Sequence, residues 1–282
     1  MASFEKKFDI KAEDTFEDKA ETYGEKMERF VCEIADRLRS EGLPLGNDCR
    51  LNPELEFFTD FISENEIKRD QKIVKNYQKE WYGSSDVVEK EIKKQKRETS
   101  GEKLEMLKTV IFNKFLGDRF ITIRTSLYDD IVNKIDNVLV DRESGNVVCA
   151  VDEIEDTTSG LLESKKEKIL ERNREGGGKL KYGIGLRKNA KEGLGFMAEE
   201  FTDIPIFCLA LDYKRMESVI KYLESSVSIS EPERKLFEYF IRSMEAQVEE
   251  LEKKDLRFSG PMKKRLGAFR FILPAIKKKY KI

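Results

Sequence analysis

The sequence predicts a mixed α/β protein: a central sheet of about four to five strands flanked by helices, with a helical N-terminal region and further helices at the C-terminus. Three observations lead there. Up to about residue 100 apolar side chains recur at helical spacing; after Gly101 short β-branched and aromatic runs alternate with helical stretches; from about Tyr213 the helical period returns. The divisions expected are residues 1–100, 101–212 and 213–282. With 282 residues, 39% hydrophobic and 10% aromatic, the chain has enough apolar material for a substantial core.

Each element has its own signal. Phe16, Ala20, Tyr23, Met27, Phe30, Ile34 and Leu38 form one stripe of an amphipathic helix, ended by Gly42 and Pro44. Helical pattern resumes in pieces to about Glu80, breaks at Gly83-Ser84-Ser85, and continues in a very polar stretch from Asp86 to Arg97. The acidic first part and lysine-rich second part of this region read as solvated helical faces. Leu104 to Leu116 is a helix with Leu104, Leu107, Ile111 and Phe115 on one side, closed by Gly117-Asp118. Phe120 to Ile123, Ile131 to Val140 and Val147 to Ile154 are strands, the last two joined by the turn Asp141-Arg142-Glu143-Ser144-Gly145-Asn146. Leu161 to Arg174 is helical and stops at Gly176-Gly177-Gly178, which reads as a flexible connector, since no phosphate-loop pattern surrounds it. Lys179 to Leu186 and Ile204 to Leu211 are further strands; Pro205 suits only the start or edge of the second. Met216 to Leu223, Glu231 to Lys253 and Pro261 to Lys279 close the chain as helices, the last broken or kinked near Pro274.

Composition narrows the chemistry. The chain has no histidine, which rules out Ser-His-Asp and Cys-His nucleophile pairs and any histidine-ligated metal. Acid–base or metal chemistry must come from carboxylate, lysine, tyrosine or cysteine. With 53 basic and 55 acidic residues the net charge is −2, so bulk charge does not favour nucleic acid. Cys32, Cys49, Cys149 and Cys208 are far apart, and Cys149 and Cys208 sit in apolar runs, as small core residues of a reducing compartment do. No apolar run is long enough to span a bilayer and no leader pattern opens the chain, so a cytoplasmic protein without a membrane partner is expected.

The segment from Tyr128 to Asp156 carries the chemistry. Asp136 interrupts an apolar run of Ile135, Val138, Leu139 and Val140, while Asp152 and Glu153 end the run Val147 to Val151. Buried, ionised carboxylates need partners or a cation. In a hairpin the ends distant from the turn face each other, so Asp136 and Asp152 converge at one edge of the sheet, where Mg²⁺ or Mn²⁺ would suit them. Asp129 and Asp130 precede the second strand and would add a ligand or hold a metal-bound water.

In these motifs, "KIDNVLVD" and "VVCAVDEIED", the chain resembles the PD-(D/E)xK nuclease superfamily, across roughly Gly101 to Asp212. The resemblance implies a restriction-endonuclease-like core: a helix, a strand, a hairpin bearing the acidic motif, then a helix and a fourth strand. It implies Asp130, Asp136, Asp152 and Glu153 as metal ligands, Glu105 on the preceding helix as a further acid, and cleavage of phosphodiesters in nucleic acid, DNA before RNA. The pattern has lysine two residues after Asp152, where this chain has Ile154. Counting from Glu153 gives Glu155 instead. A lysine from the following helix, Lys165 or Lys168, would take the catalytic role of orienting water and offsetting transition-state charge; Lys179 and Lys181 are the next candidates.

Two other readings compete. In the first the acids are structural and the chain is a catalytically inactive α/β binding or scaffolding module; Asp156, for example, suits a helix cap. A nucleotide-handling phosphotransferase is disfavoured by the missing phosphate loop. From Lys253 to Ile282 the chain is strongly basic with Phe258, Phe269 and Phe271 interleaved, a pattern for tracking phosphates or for neutralising the acidic N-terminal helices. The stripe Phe237, Ile241, Met244, Val248 and Leu251 reads as core or a helix–helix seam.

Overall fold

The structure is a computed structural model, which describes residues 21–82, 94–154, 159–189, 193–225, 228–253 and 258–282. Helix α1 (Tyr23–Ser40) begins at a capping box: the Thr22 hydroxyl accepts from the Glu25 N–H and the Glu25 carboxylate from the Thr22 N–H. Thr22 is extended, so the helix starts at Tyr23; Phe16 and Ala20, expected on its stripe, lie outside the described residues. Met27, Phe30, Ile34 and Leu38 are buried on one face. Two more helices follow, α2 (Glu56–Thr59) and α3 (Glu64–Tyr82). Gly83 to Ser85 and most of the polar stretch after them fall outside the described residues.

Helix α4 (Ser100–Leu116) is capped by Thr99 and starts four residues before the first apolar position of its stripe. It is buried nearly all round, with Lys108 and Glu105 enclosed beside Leu104, Leu107 and Phe112. Strand β1 (Phe120–Arg124) follows. The run from Ile131 to Val140 is not one strand. Ser126 is extended and accepts from the Asp129 N–H, which opens a helical turn, α5 (Leu127–Ile131). Lys134 then takes φ +52, and β2 is confined to Asn137–Asp141. β3 (Val147–Ile154) is as expected.

Helix α6 (Ser159–Arg174) leads into a tight joint. Gly176 and Gly177 have φ +114 and +80, and a Cβ on Gly177 would stand 2.4 Å from the Ile204 carbonyl oxygen. Gly177 and Gly178 are therefore packed against Ile204 and Ile135, and the run is a tight joint, not a loose connector. β4 (Gly178–Asn189) pairs antiparallel with β5 (Gly193–Ile204) in a separate two-stranded sheet. β5 had no counterpart in the periodicity, because Gly193, Gly195, Glu199, Glu200 and Thr202 dilute its apolar positions. β6 (Ile206–Ala210) begins just after Pro205, whose carbonyl accepts from the Ala150 N–H at 2.9 Å.

The central sheet thus has four strands in the order β1-β2-β3-β6. Its first two pairings are antiparallel and β3 pairs parallel with β6, placing Asp152 beside Cys208. A parallel neighbour requires a crossover, which α6 and the β4–β5 hairpin supply. The C-terminal helices are α7 (Tyr213–Tyr222), α8 (Glu231–Lys253) and α9 (Gly260–Tyr280). α9 continues through Pro274 without the expected break. α4 packs on β1 and β3, α9 on β3, and α6 and α8 on β6. One hydrophobic cluster runs from Met27 in α1 to Ile276 in α9, and contains the buried Cys149 and Cys208. Among the described residues no helix is long and apolar enough to cross a membrane.

The basic C-terminal segment finds much of its neutralisation on its neighbour: Arg270 pairs with Glu252 and Lys277 with Glu245, both on α8, while Lys279 pairs with Asp118. Among the described residues its acidic partners lie on α8 and at Asp118, not on the N-terminal helices. Phe269 is buried, whereas Phe271 is 86% exposed.

Candidate functional site

The acidic cluster is assembled by the β2–β3 register. Asn137 pairs with Val151, so Asp136, one step before β2, lies level with Asp152. The Asp136 backbone is fixed from β1's end, the Thr125 N–H donating to its carbonyl at 2.9 Å. Arg172, near the end of α6, donates to the carbonyls of Lys134 at 2.9 Å and Asn133 at 2.6 Å and holds the approach to Asp136. The Asp136 carboxylate accepts from the Glu153 N–H at 3.1 Å.

Neighbours on a strand project to opposite faces. Glu153 meets Lys108 of α4, which donates to its carboxylate, while Asp152 meets Lys165 of α6, with Nζ 2.7 Å from Oδ1. The Lys108 side chain is 0% exposed, and its Nζ is also 3.8 Å from Asp136. Burial, and next the Asp152 charge, hold the Asp136 carboxyl well above the usual aspartate range against the pull of Lys108. Burial also lowers Lys108, opposed by Asp136, Glu105 and Asp152. Two carboxylates, two ammonium groups and a third carboxylate therefore meet at the open end of the hairpin.

Asp136, Asp152, Glu153 and Lys165 come together; other expected residues do not join them. Asp130 pairs with Arg50 at 3.0 Å. Asp129 is a structural pin, accepting from the backbone N–H groups of Lys181 at 2.8 Å and Tyr182 at 3.1 Å and from Asn133 at 2.7 Å. Glu105 binds Arg124 at 2.9 Å and Arg50 at 2.7 Å. Lys168 and Lys179 are exposed, and Lys181 pairs with Asp70 and Glu66, each at 2.6 Å. Glu155 and Asp156 lie outside the described residues. The sequence reading missed Lys108 and Arg172. Lys108 had a visible signal, a charge inside the apolar stretch Leu104 to Leu116 one turn from Glu105.

Among the described residues no group of three or more acidic or cysteine side chains is placed to hold a metal ion. What the cluster offers is the pair Asp136 and Asp152. No family model, curated protein or solved structure matches the chain.

The pair carries a stability cost with a definite sign. A carboxyl whose folded pKa is raised binds its proton more tightly in the fold, so its contribution worsens as pH climbs through that raised value. In metal-free protein at neutral pH, Asp136→Asn is expected to stabilise by about 1 kcal/mol or more. Urea unfolding in EDTA checks it; a loss of stability would contradict the electrostatic account.

Proposed function

We propose that this chain is a metal-dependent phosphodiesterase of the PD-(D/E)xK nuclease kind that acts on nucleic acid. The observation that carries the reading is the meeting of Asp136 and Asp152 at the hairpin's open end with the Lys165 ammonium 2.7 Å from Asp152. Support also comes from element order: α4, β1, the β2–β3 hairpin, α6 and a strand parallel to β3 follow the succession of a restriction-endonuclease-like core. Lys165 offers from α6 the ammonium that Ile154 lacks.

The donor set fits a hard cation. Mg²⁺ is commonly held by one or two carboxylates, with waters and substrate phosphates completing its shell. Asp136 and Asp152, each a burden on the other when ionised, would hold Mg²⁺ or Mn²⁺, while Glu153 stays on Lys108. Such an ion supplies polarisation of the phosphate and a bound water of lowered pKa. The Glu153 N–H and Lys108 orient Asp136. Lys165, half-buried at the rim, donates to a phosphate oxygen or to the attacking water. Lys108 is enclosed and acts by positioning.

The test is cleavage of DNA first and RNA second with Mg²⁺ or Mn²⁺, comparing wild type with Asp136→Ala. Cleavage by the wild type and its loss in the variant are expected; equal activity overturns the reading. A second reading, an inactive binding or scaffolding module, is favoured by one observation: the acids around the site have basic partners, Asp152 with Lys165, Glu153 with Lys108, Asp130 with Arg50 and Glu105 with Arg124. Thermal unfolding with Mn²⁺ separates the two. A working site gains about 2.7 kcal/mol at a hundredfold excess over Kd, a gain that Asp152→Asn removes. No Mn²⁺ stabilisation of the wild type favours the module.

A further inference from the structure

We propose that helix α3 and the cavity against it bind single-stranded nucleic acid and lead it toward the carboxylate pair; this rests on the reading above. Lys68, Lys72, Lys75 and Lys79 follow one another at spacings of four, three and four, forming one exposed stripe about 16 Å long. Among the described residues Lys72, Lys75 and Lys79 have no carboxylate partner, and Lys68 has only the exposed Glu64. Uncompensated lysines in a row suit a phosphate backbone.

The same helix presents ring faces. Ile67, Asp70 and Val74 bury one side of α3 against the core, and the continuation of that side carries Tyr77, 40% exposed, and Trp81, 54% exposed, with ring centroids 5.9 Å apart. Next to the lysine stripe lies a cavity of about 300 Å³, lined by Gln71, Lys75 and Gln78 of α3 and by Asn52, Tyr128 and Tyr182. The half-buried Tyr128 ring is set edge to face at 5.9 Å by Tyr182, which is itself buried and fixed by donation of its hydroxyl to buried Asp70 at 2.8 Å, so Tyr128 is the ring the cavity offers. Aromatic surface with amide groups beside it suits an unstacked base, which stacks on a ring and bonds through its edge.

The cavity is linked to the candidate site through Arg50, which pairs with Glu105, one turn before Lys108 on α4. Arg50 lines the cavity and also pairs with Asp130, two residues beyond Tyr128. Asp136 is eight residues from Tyr128, no more than about 29 Å along an extended chain, and the helical turn of α5 shortens that path. Why a single strand rather than a duplex follows from the rings: a duplex hides its base faces and would meet only the lysines.

The test uses the full chain in EDTA with a labelled single-stranded oligothymidylate of about 16 nucleotides. Trp81 is the only tryptophan in the sequence, so its emission reports on the end of α3 directly. Saturable binding that quenches Trp81, at least tenfold tighter than to a duplex of equal length, is expected. Trp81→Ala weakens binding about tenfold, and the triple change Lys72→Glu, Lys75→Glu, Lys79→Glu at least tenfold, with circular dichroism and melting unchanged since all four side chains are exposed. Unmoved Trp81 emission, equal duplex binding, or a charge-reversed variant that binds like wild type overturns the inference. Cleavage that survives charge reversal unchanged refutes the α3 path and leaves the nuclease reading standing. Binding through α3 without cleavage under any metal refutes the nuclease reading and leaves the surface standing.

Discussion

Glu105→Ala is expected to cost about 3–5 kcal/mol, among the largest effects of any single substitution in this chain. Glu105 lies between Arg124 and Arg50, both buried, with Glu102 and Asp130 completing the group. Removing it leaves two guanidinium groups, enclosed between α4, β1 and the segment at Arg50, with less countercharge than their burial demands. Burial alone would raise the Glu105 carboxyl, but Arg124 and then Arg50 outweigh it and hold the group well below the usual glutamate range. A depressed carboxyl pKa gives stability that is present above the unfolded value near 4.5 and is lost as pH falls below it. The variant should therefore be less stable than wild type at neutral pH and converge with it in acid. Urea unfolding across pH is the measurement, with Glu64→Ala, from an exposed pair, as a control expected to change stability by less than about 0.5 kcal/mol. A cost under about 1 kcal/mol would mean that water reaches this group.

The buried ionic group also marks where sequence reading stops. β3 and α8 were legible to the residue, because an apolar run bounded by turn residues and a sustained helical stripe each have one interpretation. The pairing of Asp136 with Asp152 was legible too, since a hairpin turn fixes which ends meet. The stretch before Asp136 was not: Ile131 and Ile135 carry β-forming side chains, and what made the segment a helical turn was the Ser126 cap together with the long-range bonds of Asp129 to the backbone of β4. Choosing Lys165 over Lys168 needed the position of α6 over the strand ends, which three residues of spacing do not supply. Lys108 and Arg172 act across elements distant in sequence, and no local pattern links Lys108 to its carboxylates or Arg172 to the carbonyls of Asn133 and Lys134.

Lys108→Met, in metal-free protein, is expected to lose about 3 kcal/mol at neutral pH. Methionine nearly preserves the volume, so the loss isolates the ammonium. Its removal leaves Glu153 without its hydrogen-bond partner and Asp136 without the nearest positive charge. Asp136, already raised by burial and by Asp152, rises further, so the deficit should be largest above neutrality and shrink as pH falls and the carboxyls take up protons. The partner can be identified by a double-mutant cycle. Glu153→Gln alone strands Lys108, whose burial already opposes its charge; combined with Lys108→Met it removes both members of the pair, and at least half of the single-variant loss should return. Strictly additive losses would show that Glu153 is not what Lys108 serves. In that event a cycle with Asp136→Asn should show the coupling instead, because among the described residues Asp136 is the other carboxylate within 4 Å of the ammonium. Either outcome ranks the two acids by their hold on Lys108, and the acid with the weaker hold is the freer to turn toward a cation.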